Sequence, residues 1–126
     1  MLLIDRLLRR DRDIEFAVVE AVVPHQGVFI DPYYGLLPEY YIELVAQAIA
    51  AVNGYDLQVD GGETRNGFLV GVDEFNWYTR AKAGDVLQVE MEKDFEFGPV
   101  TVMSGRVIDH QGKLLAGGTI KVWEEK

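Results

Sequence analysis

The chain has 126 residues, of which 12 are Lys or Arg and 21 are Asp or Glu, so its formal net charge is −9. This length fits one domain, and a hydrophobic content of 48% indicates a folded globular protein. The negative charge disfavours nucleic acid as a partner. The absence of cysteine excludes disulfides and thiolate metal sites, which fits a location in the cytoplasm. No apolar run reaches the ~18–20 residues of a membrane span.

Alternating stretches predict strands on both sides of a single helical stretch. The helix is predicted from Pro38 to Gly54, because proline suits a first turn and glycine suits a stop. A long loop with Pro, Gly and aromatic residues precedes it at 24–37, and a polar connection follows at 56–66. Strands are predicted at residues 1–8, 14–23, 67–78, 86–97, 100–109 and 114–123. In the fourth of these, alternation places Leu87, Val89, Met91, Phe95 and Phe97 on one face.

The helical stretch is mainly apolar but carries two polar residues, Glu43 and Gln47, in its middle. Glu43 and Gln47 lie four residues apart, so they share one helix face, one turn apart. Apolar residues lie on every side of them, which is typical of a helix that is buried all round. A carboxyl group is rarely kept in such surroundings unless it is paired or functional, and desolvation favours its protonated form. Glu43 is therefore the first candidate for proton transfer, and Gln47 is expected to orient it.

The order of the elements predicts an α+β fold. Two strands precede the helix and a run of antiparallel strands follows it. An open sheet with a helix on one face would usually leave a polar stripe along the helix, which this sequence lacks. One long central helix wrapped by an antiparallel sheet is the hotdog fold, and residues 1–126 are expected to form a single such domain.

Several segments together resemble the β-hydroxyacyl-acyl-carrier-protein dehydratases. They are MLLIDR at 1–6, IELVAQA at 42–48, GV at 71–72 and GDVL at 84–87, in the order and spacing of that family. The closest likeness is to the dehydratase-like hotdog proteins of aryl-polyene and related lipid gene clusters. Those proteins share FID at 29–31 and LLP at 36–38.

The resemblance implies a reaction. A 3-hydroxyacyl thioester on the phosphopantetheine arm of an acyl carrier protein would lose water to give the 2-enoyl thioester, in fatty-acid or polyene-type lipid biosynthesis. Glu43 matches the family's helix carboxylate, and Gly71 is expected to offer its N–H to the thioester oxygen. Gln47 and Phe29 are further candidates for substrate contact. No metal or redox cofactor is implied. The expected assembly is a homodimer, or a heterodimer with another hotdog protein, in which each active site lies at the interface between the two chains.

The loop histidine of the family has no counterpart in this sequence. Its place falls on Phe29, or on Ile30 when the spacing is counted from the Leu-Pro pair. Three explanations stay open: the sequence starts after an essential histidine, His25 of the same loop serves instead, or the chain binds acyl groups or a partner without catalysis. Asp31 is either a loop cap or a second carboxylate beside Glu43, and such a pair would supply an acid and a base.

Two other functions are compatible with the same residues. A hotdog thioesterase would use Glu43 to activate water, and a non-catalytic subunit would bind acyl chains or a sister hotdog protein. Two basic clusters are candidate docking patches for an acidic acyl carrier protein. They are Arg6, Arg9, Arg10 and Arg12, and Arg80 with Lys82. His110 is expected to be only a turn residue.

Overall fold

The computed structural model describes residues 3–61 and 68–124. A large antiparallel sheet and one long helix make up most of this part of the chain. The elements are β1 (Arg6–Asp11), β2 (Phe16–Val22), β3 (Ile30–Asp31), β4 (Gly35–Leu36), α1 (Glu39–Asp60), β5 (Phe68–Trp77), β6 (Val86–Phe97), β7 (Val100–Ile108) and β8 (Leu114–Glu124). The sheet has the strand order β1-β2-β6-β7-β8-β5, and β3 pairs with β4 in a small separate hairpin.

All six predicted strands are present, with some ends displaced. Strand β1 lies later than predicted, and the predicted loop 24–37 contains the β3–β4 hairpin. Strand β6 has the predicted ends. Met1 and Leu2 of the predicted first strand lie outside the described residues, as do 62–66 of the predicted connection and Gly67.

The helix is longer than the sequence predicted. It continues past Gly54, which lies at an exposed helical position, and ends at Gly61. Gly61 has φ 69°, a left-handed conformation that glycine adopts without steric cost. The predicted stop at Gly54 was wrong because a contact distant in sequence holds the last turns in place. Nε and Nη2 of Arg10 in β1 lie 3.0 and 2.7 Å from the two carboxylate oxygens of Asp56.

The helix packs on the sheet through one face. Its buried residues are Tyr40, Tyr41, Leu44, Val45, Ala48, Ile49 and Val52, and they lie against β5, β6 and β7. Gly105 in β7 permits this approach, because a Cβ there would lie only 2.7 Å from Cγ1 of Val45. The opposite face is exposed, so the prediction of a helix buried all round is wrong for a single chain. That face looked apolar in sequence because of small residues such as Ala50 and Ala51, which are exposed.

Strand β6 contains a bulge that changes which side chains face the helix. The predicted alternation holds as far as Met91, which is buried. The register against β7 then shifts between Lys93 and Phe95. Glu96, rather than its neighbours Phe95 and Phe97, lines the same cavity as Met91, and both phenylalanines are exposed. The prediction that they share a face with Met91 was wrong because one extra residue in a strand reverses the faces beyond it.

The two edges of the sheet differ in their capacity to pair with another strand. Edge strand β1 has six residues, a bulge between Leu7 and Arg9, and several arginines, all of which discourage pairing. Edge strand β5 has ten residues, of which Asp73 and Glu74 are charged, and no described strand covers its outer side. The open edge of the sheet is therefore β5.

One long helix across a large antiparallel sheet is the predicted hotdog arrangement, and the fold class is confirmed. Within residues 3–61 and 68–124, no helix combines the length and the apolar character needed to cross a membrane.

Candidate active site

Glu43 lies in the second turn of α1 and forms a hydrogen bond with Gln47. Nε2 of Gln47 donates to Oε1 of Glu43 at 3.1 Å, and Oε1 of Gln47 accepts the backbone N–H of Leu3 at 2.6 Å. Because a side-chain amide carries its oxygen and its NH₂ on opposite sides, the bond from Leu3 directs the NH₂ of Gln47 toward Glu43. The N-terminal segment thereby fixes the orientation of the Glu43 carboxylate. Sequence reasoning found the helical pair but missed Leu3, which is 44 positions from Gln47.

The single chain leaves Glu43 exposed, so the expected burial of this carboxylate is wrong for one chain. No polar or charged residue is buried in the described part of the chain. The physical reason is that the sheet covers only the opposite face of the helix. Among the described residues, Oε2 of Glu43 has no hydrogen-bond partner. Within residues 3–61 and 68–124, a reacting group can therefore approach this oxygen, and this part of the chain does not exclude water from it.

Asp31 closes the β3–β4 hairpin. Its Oδ1 accepts the backbone N–H groups of Tyr33 and Tyr34 at 2.8 and 2.9 Å. This is the geometry of the loop cap that was one of the two alternatives at the sequence level. No contact joins Asp31 to Glu43 among the described residues. A role for Asp31 as a second catalytic carboxylate stays a prediction.

His25 and Phe29 occupy separate places in the long loop before the helix. The His25 ring is exposed and lies against the turn at Gly84, where an added Cβ would meet its Cε1 at 3.5 Å. Phe29 packs edge-on against Tyr40, with ring centroids 5.9 Å apart, and so supports the first helical turn. Neither side chain contacts Glu43 within the described residues. The catalytic role of His25 and the substrate contact of Phe29 stay predictions.

Gly71 lies in the open edge strand β5, opposite Lys121 of β8. Packing within this chain does not require glycine here, because an added Cβ would lie 4.0 Å from the nearest atom, the carbonyl oxygen of Lys121. The irregularity in β5 falls between Val72 and Glu74, so Gly71 precedes it. The predicted contact of its N–H with a thioester oxygen stays a prediction.

Tyr41 ties the loop after β5 to the first turn of the helix. Its buried hydroxyl donates to the carbonyl oxygen of Thr79 at 2.9 Å and accepts the N–H of Ala81 at 2.7 Å. Burial raises the pKa of Tyr41. Sequence reasoning missed this anchor, because no local pattern links a helical tyrosine to a loop 40 positions away.

The first basic cluster is neutralised within the chain. Its guanidinium groups lie 2.7–3.8 Å from carboxylate oxygens: Arg6 with Glu20, Arg9 with Asp11, Arg10 with Asp56, and Arg12 with Asp60. Neighbouring carboxylates cancel the field of a cation at longer range, which weakens the prediction that this cluster attracts an acidic protein.

A cavity of about 150 Å³ lies between the second half of α1 and the inner face of the sheet. Ile49, Met91 and Met103 line its apolar part, and Arg10 and Asp56 lie at its side. Because Glu43 is on the opposite face of the helix, this cavity adds no space beside the carboxylate. In the described ranges, no three His, Asp or Glu side chains form a group that could hold a metal ion.

Comparison with solved structures shows many proteins of this fold. The dehydratase heterocomplex ApeI:P from Xenorhabdus doucetiae matches at 20% identity with a TM-score of 0.81, covering 100% of this chain and 84% of that one. The Escherichia coli PaaI protein of the phenylacetic acid degradation operon matches at 19% with a TM-score of 0.69, covering 98% and 80%. A hypothetical thioesterase of Streptococcus pneumoniae with coenzyme A matches at 16% with a TM-score of 0.66, covering 95% and 84%. Likeness at these identities shows the fold.

The family comparison is more specific. No curated protein sequence matches the chain. The family model of ApeP-like proteins, described as ApeP dehydratase, matches residues 1–126. This match confirms the resemblance carried by the N-terminal, helical and Gly-Asp segments. The chain belongs to the ApeP-like dehydratase family.

Proposed function

We propose that the protein removes water from a 3-hydroxyacyl thioester, carried on the phosphopantetheine arm of an acyl carrier protein, to give the 2-enoyl thioester. Membership of a dehydratase family supports this reaction class, and ApeI:P is a dehydratase complex with the same fold. The observation in this chain that carries the proposal is the chain of hydrogen bonds Leu3–Gln47–Glu43. It presents one oriented carboxylate with a free oxygen near the N-terminal end of the helix.

Glu43 is the proposed proton-transfer group. The elimination breaks the C2–H and C3–O bonds and forms the C2–C3 double bond, so one proton is removed at C2 and one is delivered to the departing hydroxyl. Gln47 occupies Oε1 of Glu43, which leaves Oε2 for the reacting atoms. Negative charge that grows on the thioester oxygen would be stabilised by a backbone N–H, for which Gly71 is the candidate, and by the positive end of the helix. We propose that no metal or redox cofactor takes part.

A second hotdog chain completes the site in this proposal. The exposed face of α1 needs a cover that excludes water, and the open edge of β5 is available to pair with another strand. The helix α1 contacts β5 as well as β6 and β7, so it packs against the strand that forms this open edge. The partner is either a second copy or a related chain, and the heterocomplex ApeI:P supports the latter. Because Phe29 or Ile30 stands at the family's histidine position, a partner chain that retains this histidine would supply the second proton-transfer group.

The test is an assay of the protein alone and of its complex with a co-expressed sister hotdog chain. Each sample receives a 3-hydroxyacyl carrier substrate, and formation of enoyl thioester and of free thiol are followed together. We expect enoyl product without thiol release. Glu43→Gln is expected to lower the rate by about 10²–10⁴-fold, the usual contribution of a general acid or base. Glu39→Gln is the matched control, since Glu39 is an exposed glutamate one turn earlier on the same helix.

Three other outcomes of this assay would change the assigned site or the assigned reaction. Full activity of Glu43→Gln would show that the assigned site is wrong. Thiol release without enoyl product would replace the proposal with the thioesterase alternative, and the absence of both products in every preparation would leave the non-catalytic acyl-binding or partner role.

A further inference from the structure

Basic side chains in this acidic protein fall into two groups. Most of those in the described ranges lie within 4.0 Å of a carboxylate oxygen: Arg6, Arg9, Arg10, Arg12, Lys93, Arg106 and Lys121. Arg80, Lys82 and Lys113 are the described basic residues outside these pairs. All three line one cleft of about 360 Å³, between the loop after β5 and the turn that joins β7 to β8. In the part of the chain that the structure describes, the basic residues without a carboxylate partner thus all line the same cleft.

The Arg80 side chain is held in position without being neutralised. Its guanidinium donates to the backbone carbonyl of Tyr34 and lies over the ring of Trp77, 5.4 Å from the centroid. Neither contact cancels the positive charge, and the cation–π contact adds order to the side chain. Lys82 and Lys113 are exposed at the rim.

Two carboxylates also line the cleft, and each is engaged in its own turn. Oδ2 of Asp85 accepts the N–H of Lys82 at 2.9 Å, and Oδ1 of Asp109 accepts those of Gln111 and Lys113 at 2.9 Å. The hydrogen bond from Lys113 lowers the pKa of Asp109, so this group is charged near neutral pH. Three cations against two anions still leave an excess of positive charge in a chain whose net charge is −9.

Hydrogen bonds to Tyr41 and to the carbonyl of Leu115 hold the backbone around the cleft. Tyr41 binds the carbonyl of Thr79 and the N–H of Ala81, while Tyr78 and Thr79 both donate to the carbonyl of Leu115 at 2.9 and 3.2 Å. A preformed site of this kind loses little entropy when it binds a ligand. Arg80 and Lys82 also border a second, mainly apolar cleft, whose other lining residues are Ile30, Gly35, Leu36, Ala81 and Ala83.

We propose that the cleft of Arg80, Lys82 and Lys113 binds the phosphate group of the phosphopantetheine arm, with the adjoining apolar cleft receiving the chain that follows it. This inference rests on the proposed function for the nature of the ligand. Arginine and lysine are the side chains that recognise phosphate oxygens, through paired and single charge-assisted hydrogen bonds. Three cations and two carboxylates line the same small cleft, so a compact anion fits better than an acidic protein surface.

The first test measures binding and does not depend on catalysis. Binding of 4′-phosphopantetheine and of pantetheine, which lacks the phosphate, is measured by calorimetry at low salt. The variant carries Lys82→Gln with Lys113→Gln, which leaves Arg80 and its contacts intact. The control is Lys121→Gln, because Lys121 is an exposed lysine paired with Asp73 on the sheet. The double variant is expected to weaken phosphopantetheine binding at least about tenfold, and the control by less than about twofold.

Pantetheine is expected to bind equally to all forms. Failure of the parent protein to bind phosphopantetheine, or unchanged binding by the double variant, would overturn the inference. Equal losses in the double variant and in Lys121→Gln would also overturn it, since they would reflect overall charge rather than this cleft. Coenzyme A and holo-acyl carrier protein serve as separate arms that identify which molecule presents the phosphate.

The second test is kinetic. In the double variant, KM for the carrier-bound substrate should rise while kcat and the rate with an N-acetylcysteamine thioester, which has no phosphate, stay unchanged. If dehydration occurs and KM does not move, the phosphate site is wrong and the proposed function stands. If no dehydration occurs but the binding difference is present, the phosphate site stands and the proposed reaction falls.

Discussion

Two neighbouring tyrosines in the first turn of the helix lead to opposite predictions. Tyr40 and Tyr41 are both 0% exposed. The hydroxyl of Tyr41 donates to Thr79 and accepts from Ala81, whereas that of Tyr40 has no hydrogen-bond partner within residues 3–61 and 68–124. Replacement of either residue with Phe removes one oxygen and leaves the ring in place. The two variants therefore compare a satisfied buried hydroxyl with an unsatisfied one.

The change in unfolding free energy for each variant depends on whether a hydrogen-bond partner of the tyrosine hydroxyl is left unsatisfied. Tyr41→Phe leaves the N–H of Ala81, a residue only 7% exposed, without its acceptor. A buried donor without a partner costs about 1–3 kcal/mol, so we expect the free energy of unfolding to fall by about 2 kcal/mol. In a domain of this size that lowers Tm by roughly 8 °C. Tyr40→Phe strands no partner and removes a desolvated hydroxyl, so we expect no loss, or a gain of about 1 kcal/mol.

The assay is urea unfolding at one fixed protein concentration, because association with a partner would also change the apparent stability. The slope of unfolding free energy against urea should be the same for both variants and the parent. A loss of stability in Tyr40→Phe equal to that in Tyr41→Phe would refute the reasoning, since it would show that both hydroxyls are bonded or that ring packing changed.

Alkaline pH gives an independent readout of the same pair. Burial raises the pKa of Tyr40 and of Tyr41 above the value of about 10 in the unfolded chain. The protonated form is therefore favoured by folding, and this stabilisation is present below about pH 10 and is lost as the pH rises toward the folded values. Tyr40→Phe should keep more of its stability than the parent above about pH 10, and identical alkaline curves would contradict the assigned burial.

Three further predictions concern the packing and the ion pairs. Gly118→Ala should destabilise the protein strongly or prevent folding, because the new Cβ would collide with the backbone of β5. Circular dichroism measures this effect, and wild-type stability would contradict the close approach of β8 to β5. Asp56→Asn should lower the free energy of unfolding in urea by about 2 kcal/mol, since it removes a charged partner of the largely buried Arg10. An unchanged urea midpoint of unfolding would show that this ion pair does not hold the end of the helix. The Arg12 pairing lowers the pKa of Asp60, so its stabilisation is present above about pH 4 and is lost below it. Asp60→Asn should therefore flatten the acid limb of a stability–pH curve.

Local patterns in the sequence predicted the helix and the strands, but they did not predict features that depend on contacts between distant residues. The four-residue spacing of Glu43 and Gln47 was sufficient to predict their hydrogen bond, since helix geometry alone brings them together. The end of α1 was not predictable in this way, because it depends on Arg10 in β1. The face reversal at Phe95 was also hidden, since alternation continues in the sequence while the bulge shifts the register.

The exposure of the Glu43 carboxylate was not predicted for a different reason. Apolar residues around a carboxylate predict burial, but they do not say which molecule covers them. The sheet of this chain covers one side of the helix, and alanines on the other side, such as Ala50 and Ala51, are exposed. The pairing of Arg10 with Asp56 and of Arg12 with Asp60 was likewise not predictable, because these partners lie 46 and 48 positions apart in the sequence. The cluster of Arg80 and Lys82 was recognised in the sequence, whereas Lys113 and the cleft that the three residues line were found only in the structure.

The most direct test of the central claim follows a proton at C2 of the acyl chain. The protein, alone and co-expressed with a candidate sister hotdog chain, is incubated with a 2-enoyl thioester in D₂O, and the hydrated 3-hydroxyacyl product is analysed by mass spectrometry. We expect deuterium at C2 with the parent and with Glu39→Gln, and at least about a hundredfold slower incorporation with Glu43→Gln. Deuterium incorporation at the parent rate by Glu43→Gln would contradict the assignment of this carboxylate as a proton-transfer group.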